Sequence, residues 1–104
     1  MNFTPREEIM NYFVHSLESV MDKYDLDDIG IYEEEGAGSH YYMGYTVRKG
    51  DKVYMINQPY VKNDQKHLAI EHEEWTIQSD DGKEVKGIAT LDEVFHQINK
   101  GVLH

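Results

Sequence analysis

Two threonines near the ends of the chain set the limits of what it can fold into. Thr4-Pro5-Arg6-Glu7 and Thr90-Leu91-Asp92-Glu93 are both capping boxes. In that pattern the threonine hydroxyl accepts from the amide three residues on, and the glutamate reaches back to the cap. The first box has proline at the opening helical position and Phe3 where a hydrophobic staple sits. Ile9, Met10, Phe13, Val14, Leu17, Val20, Met21 and Tyr24 then fall on one stripe at helical spacing. Met10 and Met21 lie inside that stripe, so they read as core filler, not as a binding groove. After the second box, Leu91, Val94, Phe95 and Ile98 form one face, His96 and Lys100 suit the negative end of the helix dipole, and Gly101 is placed as the C-cap. A helix is thus expected at each end, and everything between must be accounted for by other elements.

The middle reads as strands. Asp25-Leu26-Asp27-Asp28 closes the first helix, and Ile29 to Glu35 alternates as a strand with Ile29 and Ile31 on one face. Gly36-Ala37-Gly38-Ser39 is a loop. Tyr41 to Val47 and Lys52 to Asn57 form a hairpin around Arg48-Lys49-Gly50-Asp51. With a three-residue loop and a left-handed Gly50, Gly44 would face Tyr54, an aromatic ring covering a glycine. Gln58-Pro59 is read as the end of that strand, with Tyr60 to Gln65 irregular. From His67 to Ile77 the chain is extended again, but its apolar phase switches. Leu68 and Ile70 are even, Trp75 and Ile77 odd. A regular strand cannot bury both sets on one face, which predicts a bulge or break within Glu71-His72-Glu73-Glu74, a largely buried Trp75, and His72 at a kink. Asp80-Asp81-Gly82 is a tight turn before Glu84 to Ile88.

At 104 residues one core is possible and two are not. The expected fold is a single α+β domain over residues 1–104, an antiparallel β-meander of about five strands with the N-terminal and C-terminal helices packed on one face.

The blocks Asp27-Asp28-Ile29-Gly30-Ile31-Tyr32-Glu33-Glu34, Tyr42-Met43-Gly44-Tyr45-Thr46-Val47-Arg48-Lys49 and Leu91-Asp92-Glu93-Val94-Phe95 together resemble a family of small uncharacterised acidic proteins, a domain of unknown function, from Bacillus-type bacteria. The resemblance spans most of the chain. It implies a bacterial cytosolic protein and carries no activity, because the shared motifs are packing and turn motifs.

Charge narrows the partners. Twenty acidic residues against ten basic ones give a formal net charge of -10. Such a surface repels phosphates and anionic headgroups, so neither nucleic acid nor a membrane is expected as a partner; a protein with a basic surface is. No cysteine is present, which excludes disulfides, thiolate metal sites and cysteine nucleophiles and fits a reducing, cytoplasmic setting. The N-terminal residues lack the apolar core of a signal peptide. No run approaches the ~20 apolar residues of a membrane span.

Chemical motifs are weak. Asp25, Asp27, Asp28 and Gly30 begin like a calcium loop, but its fifth and twelfth positions would be Ile29 and Gly36, neither of which offers the required side-chain oxygen. His67, Glu71 and Glu73 would share a face of a regular strand and could ligate a divalent cation, yet the same spacing suits a solvated sheet edge. Gly36-Ala37-Gly38 is followed by a strand, not by the helix a phosphate cradle needs. Ser16, Ser19, Ser39 and Ser79 sit in no nucleophile elbow, and His15 lies opposite the helical stripe. No catalytic residue, metal site or cofactor is assigned.

The aromatic residues are the most informative feature. Alternation sends some strand tyrosines to the core and is expected to leave Tyr42 and Tyr54 outward, with Tyr60 nearby. Exposed tyrosines ringed by acids suit protein binding, and ordinary cross-strand packing explains them as well. The candidate partner-binding residues are therefore Tyr42, Tyr54, Tyr60 and His72. The expected function is a non-enzymatic protein–protein interaction or regulatory module. One alternative is an acidic nucleic-acid mimic that inhibits a DNA- or RNA-binding enzyme, which would need carboxylates in rows at phosphate-like spacing. A small-molecule or metal-dependent enzyme is the other, and would need a pocket around His67, His72 and glutamates.

Overall fold

The computed structural model describes residues 2–100. It is an α+β fold: β1 (Thr4–Pro5), α1 (Arg6–Tyr24), β2 (Asp28–Glu35), β3 (His40–Lys49), β4 (Lys52–Lys62), β5 (His67–Ile70), β6 (Trp75–Ser79), β7 (Glu84–Ile88) and α2 (Leu91–Asn99). All strand pairs are antiparallel. The sheet runs β1-β5-β4-β3-β2, with β6 on the same edge of β4 as β5 and β7 beyond β6. Phe13 and Val20 of α1 share one core with Val94, Phe95 and Ile98 of α2 and with Met43, Tyr45, Val47, Ile56 and Ile77 of the sheet. Tyr24 stacks on Phe95 at 4.0 Å between ring centroids, tying the two helices together.

The second capping box forms as expected: Thr90 Oγ1 accepts from the Glu93 amide at 3.1 Å. The first does not. Thr4 and Pro5 pair with Leu68 and His67 as β1, and α1 begins at Arg6 without a side-chain cap. A short sheet contact has taken the backbone that the cap would have used. Arg6 instead anchors the helix start through a hydrogen-bonded ion pair to Glu33. Val14, read into the apolar stripe, is exposed, while His15 is exposed as expected. Asp25 ends α1 in the left-handed conformation. The expected Gly101 cap lies outside the described residues.

The β3–β4 hairpin turns on two residues, Gly50 and Asp51, with Lys49 opposite Lys52 and Gly50 at φ +65°. That is the glycine-first arrangement of a tight hairpin. The expected three-residue loop is thereby corrected, and the register with it. Gly44 faces Asn57 and Tyr54 faces Val47. The shift is odd, so it turns Tyr54 from the outer face to the core, where it is 3% exposed.

β4 does not stop at Gln58-Pro59 but continues to Lys62, so residues 60–62 are strand where an irregular connection was expected. The reason is geometric. The Pro59 carbonyl accepts from the Glu71 amide at 2.8 Å. In an antiparallel strand a residue's N–H and C=O point the same way. The missing proline N–H therefore faces the gap between β5 and β6, where no ladder bond is required.

The phase switch between Leu68 and Ile77 is a break. β5 pairs Ile70 with Tyr60 and β6 pairs Thr76 with Asn57. Five residues, 71 to 75, thus lie against only Gln58 and Pro59, an excess of three. That odd excess lets Leu68 and Ile77 both enter the core. The expected single strand is accordingly two, and with β1 the count of about five becomes seven among the described residues. His72 is exposed in the break. Trp75 is only partly buried, stacked beside Tyr45 at 6.3 Å; it opens β6 next to the exposed segment, which leaves part of its ring wet.

Candidate functional site

Because the core takes Tyr45, Ile56 and Ile77, the neighbouring residues in each strand point to the face without helices. Register aligns them in rows: Tyr32, Gly44, Asn57 and Thr76 across β2, β3, β4 and β6, and Glu34, Tyr42 and Pro59 beside them. Gly44 lets two of these strands close up beneath the face. A methyl group there would meet the Ile56 carbonyl oxygen at 1.9 Å, so β3 and β4 approach as only glycine allows. A second glycine, Gly87 at φ +75°, lies at a register shift between β6 and β7.

The result is a trough of about 400 Å³, within the range of ligand clefts. Tyr32 and Glu34 of β2 and Glu84 and Lys86 of β7 line the same space, although their strands are at opposite ends of the sheet. The sheet therefore curls toward its helix-free side. Tyr42, Asn57 and Pro59 contribute from the strands between, and His72 and Glu74 from the break.

Five of its polar side chains are engaged with one another. The Tyr32 hydroxyl donates to Glu34 at 2.5 Å. Burial, reinforced by that carboxylate, raises the Tyr32 pKa above the ordinary tyrosine value, so the phenol stays neutral and a donor. Gln78 donates to Glu84 at 2.9 Å, and Lys86 pairs with the same carboxylate at 3.4 Å. One buried group is left over. Asn57 is 5% exposed, and its Nδ2 has no hydrogen-bond partner among the described residues. A buried, unmade donor costs about 1–3 kcal/mol.

Of the four residues expected to contact a partner, Tyr42 and His72 meet in this trough and Tyr54 and Tyr60 do not. Tyr54 is turned inward by the hairpin register, and Tyr60 is 7% exposed, packed opposite Ile70. Burial pushes the Tyr60 phenol up to about 12. Among the described residues no three metal-ligating side chains come together, so His67, Glu71 and Glu73 do not share a site. His40, not His67, lies by Glu71, at 3.7 Å. No described helix is long and apolar enough to cross a membrane.

Sequence reasoning missed Tyr32, Glu34, Asn57, Gln78, Glu84 and Lys86 as site residues. Two signals were available: Asn57, one polar residue after the apolar run Val53-Tyr54-Met55-Ile56, and Gly87 inside a strand.

The chain belongs to a family of unknown function, DUF5634, whose model matches residues 3–98. No curated protein matches it.

Proposed function

We propose that this protein is a non-enzymatic interaction module of the bacterial cytosol that holds a segment of a partner protein in the trough. One observation carries the reading. The helix-free face gathers Tyr32, Tyr42 and Pro59 with an acidic rim into a single concavity. Tyrosine offers a rigid apolar body with a polar tip, and such residues dominate binding energy when they sit in a concave, partly dry setting. The acidic net charge favours partners with a basic surface and speeds their approach. The lack of cysteine suits a reducing compartment.

Peptides displayed on phage and selected on the immobilised protein test this. Thr76→Trp, which fills the trough from a half-buried position, is the comparison, with its fold checked by circular dichroism. Peptides that bind the wild type and lose at least tenfold in affinity on Thr76→Trp support the module. Selected peptides that bind both proteins equally, or no enrichment at all, contradict it.

A further inference from the structure

We infer that the occupant of the trough is an extended peptide segment carrying lysine or arginine, with a main-chain carbonyl seated on the Asn57 amide. This rests on the trough being the binding site and adds the chemistry of what it takes.

Three carboxylates, Glu34, Glu74 and Glu84, line the trough against one lysine. That lysine, Lys86, is already paired with Glu84. Glu34 is held by a neutral phenol, which brings no positive charge to it. The Glu74 carboxylate has no hydrogen bond or ion pair with any described residue. The trough therefore holds unbalanced negative charge beside two tyrosine rings. A lysine or arginine side chain matches both, laying its aliphatic stem on the rings and its charged head among the carboxylates.

Acidity alone would accept any cation. The Asn57 Nδ2 adds an independent requirement, because a buried amide donor calls for an acceptor. A metal ion or a simple polyamine supplies none. A peptide supplies a carbonyl at every residue, on the same backbone that carries the cationic side chain. The trough's position between β2 and β7 also gives it two open strand edges as walls, which suits an extended main chain.

The test is an amide-shift titration of the ¹⁵N-labelled full chain at physiological salt. Its probes are a blocked lysine–glycine hexapeptide, the matching glutamate–glycine hexapeptide, and spermidine. The lysine peptide is expected to move the Asn57 side-chain amide together with the backbone amides of Tyr32, Tyr42 and Glu84. Glu34→Gln and Glu74→Gln, both at exposed positions, are each expected to weaken it threefold or more, and the glutamate peptide to leave the spectrum unchanged. Spermidine that moves the Asn57 side-chain amide equally would overturn the peptide assignment. So would shifts spread evenly over the acidic surface and insensitive to both variants. If display peptides without lysine or arginine still require an open trough, the module stands and this inference alone falls.

Discussion

Gly44 of β3 stands directly across from Asn57 of β4, and a methyl group on Gly44 would lie 2.8 Å from the Asn57 Cα. The obstacle is backbone, which cannot rotate away as a side chain could. Gly44→Ala is expected to destabilise the protein by about 3 kcal/mol, the upper part of the range for overpacking. Urea melts report this as a lowered midpoint; an unchanged midpoint would mean that the strands do not approach so closely.

The two capping boxes should behave differently. Thr90 accepts from the Glu93 amide, so Thr90→Ala is expected to cost about 1 kcal/mol. Thr4 caps nothing and sits in β1, so Thr4→Ala should cost less than half as much. Equal losses in thermal or urea unfolding would restore the symmetric reading of the two boxes.

Why one box was legible and the other was not is a matter of competition. Both have the local pattern, but residues 4 and 5 lie along the edge of β5 that β4 leaves free, and they pair with it. The same holds in the hairpin. Gly50 announced the turn and its left-handed conformation, yet the loop length decides the register, and an odd change in register moves Tyr54 from outside to inside. The break at 71–74 was legible because a change of apolar parity has no regular-strand solution. The trough was not, because it depends on how far the sheet curls to bring β2 and β7 around one space, which no local motif states.

Helix α1 offers a contrast along one turn. Phe13 is 2% exposed and meets Tyr45 edge-on at 5.2 Å, whereas Val14 is 46% exposed. Phe13→Ala is expected to cost about 3–5 kcal/mol and Val14→Ala less than about 0.5 kcal/mol. Comparable losses in denaturant melts would put the helix in a different rotation about its axis.

Acid should loosen the start of α1. The Arg6 guanidinium, above all, lowers the Glu33 pKa from its ordinary value of 4.5, with a smaller contribution from the Tyr41 hydroxyl and with burial opposing. A carboxylate whose folded pKa is depressed adds stability above its unfolded pKa and loses it as pH falls through the lower folded value. The pair is partly exposed, so screening holds its worth to roughly 0.5–1 kcal/mol. Glu33→Gln should therefore be less stable than wild type at pH 7, with the gap closing as pH falls through the lowered folded value. A gap that persists at low pH would assign the effect to packing.

The central claim is that partners enter the trough and not the helical side, where Tyr12 is the most exposed large apolar residue described, at 69%. A photoreactive phenylalanine analogue placed at Gln78 in one strain and at Tyr12 in another compares the two faces inside living host cells. The account predicts a discrete cross-linked adduct from position 78 that disappears when Thr76→Trp is added, and none from position 12. An adduct from position 12 with none from position 78 would contradict it.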